Sequence, residues 1–292
     1  MSGPGDVAGW VRGRALLQRR AGPTTVRRLA SSSSVVEAVR ELATTPYGHA
    51  VTPGMGLAAA QRAVAATLLW HLRILAGWQG PNRSDQIRAL AAGFEVANTV
   101  DLLLSMDGAA RPTPFELGSL STAWGTVRRA ASPAGVRSAL SRSRWGDPGS
   151  TDPAAVRLAL EVAWAYRVWD EAPAAAPWAR EAAGLMAAHL ESTGGRAGIG
   201  AGPGRQLDRL LGRGRPRPGR PPGGPGEGWS GLWQRVAEQS ERMAAADRPG
   251  PEATAAMVAL LAVDAGRVRA ALALAAAPAA TVGWEDVLGA VV

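Results

Sequence analysis

The chain contains no cysteine and no lysine among its 292 residues. The first absence excludes a disulfide framework, a thiolate zinc site and a cysteine nucleophile. The second excludes a Walker A lysine and a lysine Schiff base. Histidine is scarce as well, with His49, His71 and His189 far apart in sequence and none in an HExxH pattern. Runs of alternating β-branched residues are missing, which argues against a sheet. No stretch offers the roughly 20 apolar residues of a membrane span. The apolar run that begins at Ala253 is broken by Asp264, Arg267 and Arg269. The N-terminus has no apolar signal core, so a cytoplasmic location is expected.

What is present is a length sufficient for a sizeable core and a 47% hydrophobic composition. The net charge of +8 is unevenly spread. Residues 194–228 hold seven arginines against Asp208 and Glu227. Most of the positive charge therefore lies in one segment and not on a face of the fold. Residues 212–228 contain seven glycines and five prolines, a composition from which no packed structure is expected. The sequence thus predicts a main helical body over 1–193 made of two repeat lobes, a disordered loop over 194–228, and a C-terminal helical segment over 229–292 as a third lobe.

Helix start signals recur along the chain. Ser34 with Glu37 three residues on forms a capping box, and Thr113-Pro114-Phe115-Glu116 forms a second with proline at the first helical position. Ser132-Pro133, Asp152-Pro153 and Gly250-Pro251 repeat the cap-then-proline order. The predicted helices run over 24–45, 57–78, 84–106, 115–130, 133–143, 153–170, 175–192, 229–246, 251–276 and 284–291. Val64, Leu68, Leu72 and Leu75 form one apolar stripe. The helix from 153 is apolar on most sides, as an inner helix is. The fold class expected is all-α.

Residues 29–48 and 127–146 align without gaps, with Ser34 on Ser132, Leu42 on Leu140, Tyr47 on Trp145 and Gly48 on Gly146. Each reads as a cap, a short helix and an aromatic-glycine stop. Two similar capped helices without common origin would give the same pattern.

No motif carries convincing chemistry. GIGAGPGR (198–205) lacks dinucleotide spacing, a preceding strand and a lysine. Asp170 and Glu171 are adjacent and so do not face each other on a helix. The expectation is no catalytic, metal-ligating or cofactor-binding residue, and no cofactor. The eleven tryptophans read as core or interface anchors.

Three segments, in this order, carry a family resemblance: VRGRALLQRR (11–20), SSVVEAVRELATTPYG (33–48) and AAGFEVANTVDLLL (91–104). The chain resembles the C-subunit family of the archaeal and V-type rotary ATPases, whose member in the vacuolar enzyme is the d subunit. Thr45-Pro46-Tyr47-Gly48 match one family motif. Phe94, Glu95, Asn98 and Leu102 stand at another, with Glu95 where aspartate is usual. FELGSLSTAWGTVRRAASPAGVRSALSRSRWG (115–146) is similar to the family's second copy, and VDAGRVRAALALA (263–275) to its last helix. The resemblance implies a three-lobed, funnel-like helical body with internal repeats and no chemistry of its own. It implies a rotor adapter, peripheral at the cytoplasmic face, whose partners are the central shaft and the membrane ring. Arg12 and Arg14 on the first helix, Tyr47 and Asn98 are the candidate interface residues it points to. For Tyr47 and Asn98 a role in folding stands equally, since turn and cap residues serve local structure first. An arginine-rich, all-helical nucleic-acid-binding protein is the alternative.

Overall fold

The computed structural model describes residues 4–193, 199–212, 228–246 and 248–277. Among them every regular element is helical and no strand occurs, so the chain is all-α. The elements are α1 (Pro4–Leu17), α2 (Gly22–Ala30), α3 (Val35–Leu42), a 3-10 turn (Pro46–His49), α4 (Leu57–Gly77), α5 (Pro81–Leu90), α6 (Gly93–Met106), a 3-10 turn (Gly118–Leu120), α7 (Trp124–Val127), α8 (Pro133–Ser141), α9 (Pro153–Glu171), a 3-10 turn (Pro173–Ala175), α10 (Ala176–Ser192), α11 (Ala201–Leu211), α12 (Gly228–Ala244) and α13 (Pro251–Ala276). No single helix among the described residues is long and apolar enough to cross a membrane.

Several starts follow the cap chemistry read from the sequence. The Ser34 hydroxyl accepts from the Glu37 amide at 3.3 Å, while the Glu37 carboxylate accepts from the Ser33 amide at 2.9 Å. Ser132 and Asp152 accept from the amides of Gly135 and Ala155. Each such bond satisfies one of the orphan donors of a helix N-terminus. Two predicted helices are divided. The chain leaves the helix at Ser31 so that Ser34 can cap α3, which splits 24–45. The break at Ala91-Ala92 divides 84–106 into α5 and α6.

The chain forms two compact units, Met1–Arg83 with Trp229–Val292, and Ser84–Gly228. In the first, the 26-residue α13 packs against α1, α2, α3 and α4. Val26, Leu29, Val39, Leu42, Val268 and Leu272 form its core. α1 comes close through Gly13, where a Cβ would collide with the Met257 sulfur. The segment expected as a separate third lobe is thus part of the N-terminal unit, because α13 buries residues on nearly every side and needs several neighbours.

In the second unit α9 is the inner helix, packed against α6, α10 and α11. Its Val156, Leu160, Val162 and Val168 are buried. The Trp164 indole N–H donates to the Ala89 carbonyl at 2.9 Å, and its ring lies over Gly93, where a Cβ would meet ring carbons at 2.8 Å.

The fold departs from the sequence expectation in two further places. Composition predicts no packed structure over 194–228, yet α11 occupies Ala201–Leu211, with Leu207 and Leu210 buried against α9 and α10. An amphipathic window of eleven residues is hidden when composition is averaged over the whole glycine- and arginine-rich stretch. No boundary therefore falls at residue 193. The remaining parts, 194–198 and 213–227, and the helix expected over 284–291 lie outside the described residues. The helix expected over 115–130 is also absent. Residues 110–117 are irregular, and the one α-turn there is the four-residue α7. The reason lies in two side chains of α6.

Candidate functional site

Each unit contains a buried carboxylate that gathers distant backbone. In the first unit Asp264, on the largely apolar α13, is 5% exposed. Its oxygens accept from the amides of Ala21 at 2.9 Å and Gly22 at 3.0 Å, the residues that open α2. The Tyr47 phenol donates to it at 2.9 Å. In the second unit Glu95, on α6, is 1% exposed. It accepts from the amides of Thr122 at 2.6 Å and Ala123 at 2.5 Å, the residues that precede α7. The Trp145 indole N–H donates to it at 3.1 Å.

The two arrangements correspond part by part. A carboxylate from a long helix holds two consecutive amides at the start of another helix, where the backbone dipoles favour negative charge. An aromatic donor closes it, and Tyr47 and Trp145 are the residues paired in the alignment of 29–48 with 127–146. In the first, Tyr47 shares its acceptor oxygen with Ala21, the first amide. In the second, Trp145 shares with Ala123, the second amide. An arginine–glutamate pair flanks each. Arg20 bonds Glu241 at 3.0 Å, and Arg167 bonds Glu171 at 3.1 Å while its guanidinium lies 5.2 Å from the Trp145 ring centroid. Burial raises the Tyr47 phenol well above its usual value, and the adjacent Asp264 adds to the effect.

Asn98 explains the irregular stretch. Its side-chain amide donates to the Phe115 carbonyl at 2.9 Å, and its oxygen accepts from the Phe115 amide at 2.7 Å. Both backbone groups of Phe115 are thereby committed, and the Thr113–Glu116 capping box cannot start a helix there. The Phe115 ring meets Phe94 edge-on, with centroids 5.1 Å apart.

The four residues singled out from the sequence thus fall into two classes. Tyr47 and Asn98, 5% and 1% exposed, lie inside their units and organise backbone. They are positioning residues and offer no surface to a partner. Arg12 and Arg14 are exposed on α1. The Arg12 guanidinium lies 3.3 Å from the ring centroid of Trp78, itself 44% exposed, and Arg14 stands 5.2 Å from the Trp10 ring. Val7 and Val11 are exposed on the same helix. Arginine and tryptophan side by side make an amphipathic contact surface. The sequence does not single out Asp264 and Arg167 as organisers. The signal available is a charged residue at a buried position of a largely apolar helix, which demands a buried partner.

Two of the three histidines are accounted for by packing. His49 ends the 3-10 turn and stacks on Trp70 at 4.1 Å. His71 is buried, and burial first, then Arg19 and His49, depress its imidazole to about 4. A group whose folded value lies below the ordinary 6.5 stabilises fully above that pH, and the contribution is lost as pH falls from 6.5 through about 4. Thermal melts between pH 7 and 4.5 are expected to show a falling Tm that is less steep in His71→Gln. Equal slopes would contradict this assignment.

Among the described residues no group of three His, Asp or Glu side chains stands where it could hold a metal ion. Glu95 and Asp264 each accept from three donors and are sealed from solvent, so they act as locks on chain geometry. No family model matches the chain, and no curated protein matches it in sequence. The features that bear on function are therefore the paired locks and the exposed face of α1.

Proposed function

We propose that this protein is a non-catalytic rotor adapter of a V/A-type ATPase, similar to the C-subunit family, that links a central shaft to a membrane ring at the cytoplasmic face. The observation that carries this reading is the repetition of one lock in two units. We read the two locks as copies of a single structural element: a capped short helix, an aromatic donor and a carboxylate from a following or preceding long helix. Such repetition is what the resemblance over 11–148 implies, and Glu95, Tyr47 and Trp145 stand at the positions that carry the resemblance. A body that transmits torque needs fixed geometry, and a carboxylate with all its hydrogen bonds made inside the protein supplies it.

The face of α1 suits a partner. Arg12 and Arg14 present fixed donors for carboxylates or free carbonyls, backed by Trp78 and Trp10. Affinity-tagged protein isolated from its own cells in mild detergent is expected to bring down the shaft and ring proteins of the ATPase. Arg12→Ala with Arg14→Ala should reduce that recovery several-fold while leaving the melting temperature unchanged. Isolation without any ATPase component overturns the proposal. RNA recovered in their place and released by moderate salt would favour the nucleic-acid-binding alternative.

A further inference from the structure

In the Ser84–Gly228 unit, the irregular stretch 111–117, the 3-10 turn that follows it and α7 enclose an open depression of about 750 Å3. Its floor is formed by Phe115, Leu117 and Trp124, all buried in the unit. Gly125 also lines it, and a Cβ there would meet nothing within 4 Å. Arg111, Arg128 and Arg129 stand on the rim with Glu116. The three arginines are exposed, and none of their guanidinium groups forms a salt bridge or hydrogen bond among the described residues. This distinguishes them from Arg137, Arg144 and Arg167 of the same unit, which pair with Asp147, Glu171 and Glu171. The depression exists because Asn98 and Glu95 hold the chain on both sides of it, at Phe115 and at Thr122-Ala123. It is a fixed feature of the unit, not a chance gap between side chains.

We propose that this trough docks an acidic segment of a partner polypeptide. Three unpaired guanidiniums around one concavity attract negative charge, and each can take a carboxylate with two parallel hydrogen bonds. A polypeptide suits the trough better than a nucleic acid. Phe115 and Trp124 are 9% and 8% exposed, so their ring faces are not open for base stacking. Glu116 on the rim opposes a continuous phosphate backbone, whereas a peptide can place its own charges around it. This partner chemistry holds whichever protein supplies the segment, and so goes beyond the rotor-adapter reading.

The test uses the full chain and a short fluorescent poly-L-glutamate as the probe, at low salt. Arg128→Glu with Arg129→Glu is expected to weaken binding at least about tenfold. Gly125→Leu, which fills the trough and keeps every charge, is expected to do the same. Arg242→Glu with Arg248→Glu, an equal charge change in the other unit, is expected to leave it unchanged. Circular dichroism and melting curves establish that each variant is folded. Binding that survives both trough variants overturns the proposal. So does an oligothymidine that binds as tightly and is lost in the same variants, which would make the trough a nucleic-acid site. A many-fold gain in affinity on deletion of residues 278–292, which include Glu285 and Asp286, would make the chain's own terminus the occupant and also overturn it. Poly-glutamate binding that depends on the trough, in a protein that recovers no ATPase component, separates failure of the rotor-adapter reading from failure of this one.

Discussion

Replacing Glu95 by alanine is expected to destabilise the Ser84–Gly228 unit by about 4 kcal/mol. The substitution leaves the Thr122 and Ala123 amides and the Trp145 indole without their acceptor. A buried donor left unpaired costs about 1–3 kcal/mol, and the emptied volume adds a cavity penalty. Water cannot readily repair the loss at a site 1% exposed. Glu95→Gln should cost about half as much, because one amide oxygen still accepts while its NH2 faces donors. Hydrogen exchange checks the prediction locally. Protection of the Thr122 and Ala123 amides should disappear in Glu95→Ala, while that of α13 is kept. Unchanged protection at 122 and 123 would contradict the lock.

Asp264→Ala is expected to cost the other unit about 3–4 kcal/mol for the same reason, through the Ala21 and Gly22 amides and the Tyr47 phenol. The charge lost also leaves the start of α2 without its counter-charge. Tyr47→Phe alone should cost about 1–2 kcal/mol, since the ring still packs among Leu42, Val51 and Val64 and only one hydrogen bond is lost. Combined with Asp264→Ala it should add almost nothing, because the acceptor is already gone. Denaturant midpoints of the two single variants and the double variant measure the coupling. Additive losses would mean that Tyr47 and Asp264 do not act as one unit. The analogous cycle of Trp145→Phe with Glu95→Ala should show coupling of the same sign.

Much of the helical grammar is legible in the sequence because it is local. Ser34, Ser132 and Asp152 cap helices through bonds to residues three positions on, and a local rule finds them. α9 is recognisable as an inner helix from its composition alone. Long-range bonds override the local rules elsewhere. Thr113-Pro114-Phe115-Glu116 has every mark of a helix start, but Asn98 takes both backbone groups of Phe115. Seventeen residues separate the two, and no periodicity encodes the contact. α11 escapes sequence reading for the opposite reason: the local signal of Leu207, Leu210 and Leu211 is drowned by its surroundings. Gly48 and Gly146, aligned between 29–48 and 127–146, also diverge. Gly146 takes φ +76 as a stop residue should, whereas Gly48 lies in a 3-10 turn and is needed because a Cβ would collide with the Ala43 carbonyl oxygen.

The candidate site is half legible. Tyr47 and Asn98 are reached through the resemblance, and each is a buried organiser of backbone. Glu95 stands in the same motif, but its role depends on partners 27 to 50 residues away. Asp264 lies 217 residues from Tyr47, and their bond joins the two ends of the chain into one unit. Of the residues the sequence points to, only the arginines of α1, with their tryptophans, remain on the surface for a partner.

A rotor adapter couples hydrolysis to transport, so ion pumping tests that role most directly. Inverted membrane vesicles are prepared from cells with and without this protein, and ATP hydrolysis and ATP-driven ion uptake are measured side by side. Uptake should be lost in vesicles lacking the protein and should return when purified protein is added back, while the detached head still hydrolyses ATP. Undiminished ATP-driven uptake in its absence would contradict the rotor-adapter role.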